Sequence, residues 1–165
     1  MLTMARDRTY EELVPELRGR RVLIWTCSTC ARLCGGLGGR ESADSLAERL
    51  RADGTDVAGT VCSAACCLSQ RSEEMASSSP KGYDLVLALC CSLGAWNAEQ
   101  ATGADVLNPV RTFGPGMADP DGAPLVAVME GGRVVGTEPL QHVAEEAGCL
   151  VGPFRYKTRA YKATG

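Results

Sequence analysis

The sequence predicts an α/β fold: an open parallel sheet of about four strands with flanking helices, plus a C-terminal β-hairpin. Three observations predict it. Short apolar, β-branched runs alternate with helical patterns from residue 21 to residue 107, the order that a parallel sheet with crossover helices requires. One of those helical patterns, Glu41 to Ala52, places Ala43, Leu46, Ala47 and Leu50 at a helical period. Finally, Gly131-Gly132 separates two β-forming runs, as a primed turn does.

Taken in order, Thr9-x-x-Glu12 has the form of a capping box and starts a short helix from Tyr10 to Leu17 that Pro15 shortens or bends. Arg21 to Trp25 reads as a buried strand, continuously apolar after its first residue. The amphipathic helix over Glu41 to Ala52 stops at Gly54. Asp56 to Val61 is a second strand and Leu68 to Met75 a helix; Ser77 to Gly82 is a loop by composition. Tyr83 to Leu89 is the most apolar strand, Ala95 to Ala101 a short helix and Asp105 to Leu107 a fourth strand. Beyond it, Phe113-Gly114-Pro115-Gly116 and Asp119-Pro120-Asp121-Gly122 carry loop chemistry, Leu125 to Met129 and Arg133 to Gly136 form the hairpin, and Leu140 to Ala147 is a helix. The 165 residues suit one compact domain: a helical N-terminal segment over 1–20, an α/β core over 21–112, and a loop, hairpin, short helix and basic tail over 113–165.

Sulfur is where the composition departs from the ordinary. Nine cysteines outnumber the eight Phe, Trp and Tyr residues together. The first eight residues carry mixed charge with no apolar stretch behind them, unlike a signal peptide, and the run Leu85 to Cys91 is too short to span a bilayer, so a cytoplasmic protein with no membrane association is expected. Stable disulfides are rare there, and an odd cysteine count with the adjacent pairs Cys66-Cys67 and Cys90-Cys91 suits a disulfide scaffold poorly. Ligation of a metal or cluster, or thiol redox chemistry, follows as the expected use. With a net charge of -3 and basic residues clustered only between Arg155 and Lys162, no nucleic-acid partner is expected.

The pattern places Cys27, Cys62, Cys90 and Cys91 at or just beyond the carboxyl ends of three strands, the edge where open α/β sheets bind ligands. Cys27-x-x-Cys30-x-x-x-Cys34 supplies three sulfurs within eight residues, with Cys30 and Cys34 one helical turn apart and Gly35, Gly36, Gly38 and Gly39 leaving room for close backbone approach. Three local thiolates and one from a distant loop suit a [4Fe-4S] cluster or a four-cysteine zinc site. A thioredoxin-like use of Cys27 and Cys30 fits the C-x-x-C spacing alone and leaves the other cysteines unexplained. Cys149 reads as a small buried hydrophobe, and Cys62 and Cys90 as packing residues, because side chains alternate along a strand. His142, the single histidine, sits near Glu145 and Glu146 and reads as a solvated or capping residue. The glycine pair after Cys34 lacks the Lys-Ser/Thr of a phosphate loop.

From about the first helix to the fourth strand, the chain resembles the MetV-like iron-sulfur subunit, or C-terminal domain, of methylenetetrahydrofolate reductase. The resemblance is carried by Thr26-Cys27-Ser28-Thr29-Cys30-Ala31-Arg32-Leu33-Cys34 followed by glycines, by Val57 to Val61 leading to a cysteine eight residues after Gly59, and by Leu85 to Leu89 leading to Cys91-x-x-Gly94. It implies a Rossmann-like sheet with a [4Fe-4S] cluster at its carboxyl edge. The family's ligands fall on Cys27, Cys30, Cys34, Cys67 and Cys91, five candidates for four irons. It also implies a non-catalytic role, electron transfer to or stabilisation of a TIM-barrel, flavin-containing methylenetetrahydrofolate reductase-like subunit, with the flavin in that partner only. Thr26 replaces the glycine expected before Cys27, and two further departures stand out: only Cys149 remains where the family has a cysteine-rich C-terminal segment, and Cys62, Cys66 and Cys90 are extra thiols that could enlarge the ligand set.

Overall fold

A computed structural model describes residues 1–154; the basic stretch from Arg155 to Lys162 lies outside the described residues. The strand and helix alternation folds as the pattern requires. Strands β1 (Leu2–Arg6), β2 (Arg21–Cys27), β3 (Asp56–Ser63), β4 (Leu85–Leu89), β5 (Asp105–Leu107), β6 (Val110–Ala118), β7 (Pro124–Glu130) and β8 (Arg133–Pro139) make two sheets. The parallel sheet runs in the order β3-β2-β4-β5, with Ile24 opposite Thr60 on one side and Leu87 on the other. Its two central strands are buried on both faces: Val22 to Trp25 and Val86 to Ala88 are fully inaccessible. That is why both read as unbroken apolar runs rather than as alternations.

Helices α1 (Tyr10–Glu16), α2 (Cys30–Leu33), α3 (Arg40–Ala52), α4 (Ser69–Ser78), α5 (Ser92–Thr102) and α6 (Leu140–Glu146) complete the elements of the described residues. The α1 capping box is present in both halves: Glu12 N donates to Thr9 Oγ1 at 3.2 Å and Thr9 N to Glu12 Oε2 at 2.8 Å. Helix α3 buries Ala43, Leu46, Ala47 and Leu50, the four positions its period selects. Helix α5 starts three residues before the expected Ala95, because the Cys91 sulfur accepts a hydrogen bond from Gly94 N and caps it.

The C-terminal hairpin is β7 and β8, but it belongs to a second, antiparallel sheet in the order β1-β6-β7-β8. Two of these strands depart from the sequence reading. The N-terminal segment over 1–20, expected to be helical from Tyr10 to Leu17 and given no strand, begins with β1, and the stretch read as loop around Phe113-Gly114-Pro115-Gly116 lies within β6. Close packing is the reason glycine sits there. A Cβ on Gly116 would meet Leu125 O at 2.1 Å and Thr3 Cγ2 at 2.4 Å, so the strand approaches its neighbours only without a side chain.

This second sheet stands against the carboxyl edge of the first. Asn108, between β5 and β6, donates through Nδ2 to Ala88 O at 2.7 Å and to Cys90 O at 3.0 Å. Ser92 donates from both N and Oγ to Thr112 Oγ1 on β6. The edge expected to be an open crevice is therefore flanked by a wall made from both ends of the chain.

Candidate cysteine site

Eight of the nine cysteines collect at this edge. Cys27 is the last residue of β2 and is buried, with its Sγ 3.7 Å from Ala64 O in the loop after β3. The short α2 carries Cys30, and Cys34 caps its end; both turn toward β1. Leu2 N donates to Cys30 Sγ at 3.4 Å, and Cys34 Sγ donates to Leu2 O at 3.6 Å. The loop between β3 and α4 brings Cys66 and Cys67, the first buried and the second exposed. Cys91 follows β4 directly and caps α5. Cys62 lies within β3, half-buried, and Cys90 is fully buried.

The sulfurs form two adjoining neighbourhoods. Cys30 and Cys34 interact with each other beside Leu2. Cys27, Cys62, Cys66, Cys67, Cys90 and Cys91 lie near one another around the ends of β2, β3 and β4, close enough for Cys66 to raise the Cys27 thiol and for Cys67 and Cys27 to raise Cys91. The two residues between Cys27 and Cys30 join the groups. Of the five family positions, Cys27, Cys67 and Cys91 fall in one neighbourhood and Cys30 and Cys34 in the other. Cys149 stays apart, buried with Ala5 and Ala144 in a small satellite core, as its reading as a hydrophobe requires.

Burial sets the chemistry of these thiols. Contact with the Cys66 sulfur, then burial, drives the Cys27 thiol far above the ordinary range. Burial, seconded by the nearby Cys30 sulfur, pushes Cys34 up to about 11, and burial, seconded by Cys67 and Cys27, raises Cys91. A free thiolate is costly at these positions, so ligation requires a cation that offsets the lost hydration and releases the protons. The same fact weighs against thioredoxin-like exchange, which needs an exposed, low-pKa attacking cysteine, whereas Cys27 is 6 % exposed.

Among the described residues no three His, Cys, Asp or Glu side chains already converge as ligands of one metal ion. The donor set nonetheless fits an iron-sulfur group chemically. Cys30 and Cys91 each already accept a backbone N–H, the kind of hydrogen bond that stabilises negative sulfur and tunes a cluster's potential. Trp25 Nε1 is a buried donor with no acceptor among the described residues, and it sits two residues before Cys27, on the same face of β2. Cys27, Cys30, Cys67 and Cys91, with Cys34 beside them, are the thiols that would hold such a group.

Comparison with protein-family models, curated proteins and solved structures finds no match for this chain. The reading of the site therefore rests on its own residues. Other features compete poorly. Two cavities, of about 510 Å³ and 560 Å³, lie at the opposite, amino edge of the parallel sheet around Arg20 and Asp84. Arg20 is already engaged there by Asp84 and Asp105, each at 2.8 Å. His142 is exposed and pairs with Glu146 at 3.3 Å on the surface of α6. Of the two tryptophans, Trp96 is 56 % exposed, whereas Trp25 is fully buried beneath the cysteine edge. Among the described residues no helix is long and apolar enough to cross a membrane.

The sequence reading did not anticipate the elements that steady the site: the Leu2 backbone, and Ser72 and Asn97, which both reach the Cys66 carbonyl. The first was hidden because β1 was not recognised. The other two are small polar residues in helices, and only their burial, 0 % and 5 % exposed, marks them.

Proposed function

We propose that this chain is a cytoplasmic electron-transfer subunit that holds a [4Fe-4S] cluster on Cys27, Cys30, Cys34, Cys67 and Cys91, one of the five standing outside the ligand set. One observation carries the reading: thiols from three strand ends meet at one sheet edge, where two of them already receive backbone N–H donors. When bound, the cluster supplies one-electron chemistry; the protein contributes ligands, burial and hydrogen bonds. By the resemblance of Cys27 to Cys34, the β3–α4 loop and Cys91 to the methylenetetrahydrofolate reductase-associated subunits, the partner is a TIM-barrel flavoprotein that carries the flavin and the folate chemistry. The chain itself is non-catalytic in this reading.

The test is purification without oxygen. About four iron and four sulfide per chain, a visible absorption band and an electron paramagnetic resonance signal in one oxidation state are expected. Iron-free, zinc-loaded protein contradicts the proposal and favours a structural zinc subunit. Co-purification with a flavin-containing reductase subunit tests the partner assignment separately.

A further inference from the structure

Between the two loops that carry Cys67 and Cys91 lies a buried polar contact that packing alone does not require. The Cys66 carbonyl accepts two side-chain hydrogen bonds, from Ser72 Oγ on α4 at 3.0 Å and from Asn97 Nδ2 on α5 at 3.1 Å. Both donors are buried, Ser72 fully and Asn97 to within 5 %. The same residue is fixed at its sulfur. Cys66 Sγ donates to Thr26 O at 3.3 Å and touches Met75 Sδ at 3.9 Å. Its Cβ packs against Gly94, where an added Cβ would lie 3.1 Å from it and 3.0 Å from Cys90 Sγ.

Cys66 is thus held from the ends of β2, α4 and α5 at once. The next residue, Cys67, is exposed and lies near Cys91, the cap of α5. Asn97 lies on that same helix, so its amide ties the chain on which Cys67 hangs to the element that begins at Cys91. An exposed cysteine on an irregular loop would otherwise sample many positions, and ligation would have to order it.

We infer that Asn97 is a positioning residue for the cysteine site: its hydrogen bond to the Cys66 carbonyl, seconded by Ser72, sets where Cys67 stands relative to Cys91. The inference rests on the cluster reading for its purpose, but the geometry it describes exists without any bound group.

Asn97→Leu removes the donor at similar volume, and Val126→Ala on β7 supplies a control that lowers stability in the other sheet. Two readouts are compared at matched melting temperature. In the holo-protein, loss of visible absorbance under an iron chelator is expected to be about tenfold faster in Asn97→Leu, the factor that about 1.4 kcal/mol of lost positioning corresponds to, and unchanged in Val126→Ala. In the metal-free chain, bridging of Cys67 to Cys91 by a short bis-alkylating thiol reagent, mapped by peptide mass spectrometry, is expected to fall several-fold in Asn97→Leu alone. Equal behaviour of Asn97→Leu and wild type in both assays, or equal acceleration and loss of bridging in Val126→Ala, overturns the inference. Wild-type protein without iron refutes the cluster reading, while the bridging assay still decides the positioning role.

Discussion

Gly38 offers the sharpest test of how the first cysteine group is held in place. Its backbone is in an ordinary region, so alanine is not strained by conformation; the obstacle is space. An added Cβ would lie 2.6 Å from Ala31 Cβ, 2.8 Å from Thr26 Oγ1 and 2.9 Å from Leu89 O. One of these atoms belongs to the helix carrying Cys30, and the others to the ends of β2 and β4; none is the free end of a flexible side chain. Overpacking of this kind costs about 1–3 kcal/mol. Thr26 Oγ1 also donates to Leu89 O at 3.3 Å and accepts from Gly39 N at 2.9 Å. Displacing it forfeits bonds of about 1 kcal/mol each. Gly38→Ala should therefore cost about 3–5 kcal/mol, a large share of the roughly 5–15 kcal/mol a domain has. Gly36, two residues earlier, is the internal control: it sits at φ +74 in open space, so alanine there meets only the left-handed backbone penalty of about 1–2 kcal/mol. Urea unfolding of the metal-free chain, followed by circular dichroism, compares the two. With a slope of about 2 kcal/mol per molar, the midpoints should differ by about 1 M. Midpoints that coincide, or a milder loss for Gly38→Ala, would refute the steric argument.

Two further outcomes follow from the same structure. Tyr10 donates to Asp53 Oδ2 at 2.7 Å, and burial, then that hydrogen bond, raises its phenol far above the ordinary value. In the unfolded chain it ionises near about pH 10, so its contribution is complete below that pH and lost as pH rises above it; Tyr10→Phe should flatten the fall of stability on the alkaline side, measured by melting temperature against pH. Cys149→Ala, in the satellite core with Ala5 and Ala144, should leave iron content unchanged and cost about 1 kcal/mol in urea unfolding; loss of iron would mean that Cys149 belongs to the site.

The parallel sheet was legible because burial on both faces leaves unmistakable apolar runs, and because α3 repeats its buried residues at a helical period. The strand ends followed, and with them the gathering of Cys27, Cys62, Cys90 and Cys91. The antiparallel sheet was half hidden. Gly114, Pro115 and Gly116 look like turn residues, yet β6 needs a glycine at position 116 to let Leu125 and Thr3 approach, and local sequence cannot express a requirement imposed by neighbours distant along the chain. The short β1 pairs along its length with β6, from Leu2 opposite Pro115 to Arg6 opposite Val110, partners more than a hundred positions away. Missing both strands concealed the wall that meets Cys30 and Cys34, and so concealed the Leu2 amide that donates to one of them.

That Cys30 and Cys91, 61 positions apart in the chain, serve one bound group is the central claim, and serine substitution at each tests it most directly. Iron and sulfide are measured in Cys30→Ser and Cys91→Ser chains purified without oxygen. The account predicts that each substitution alone takes iron from about four per chain to a small residue and abolishes the same spectroscopic signal. Full retention of iron in either variant, or loss of two distinct signals one at a time, would contradict a single shared site.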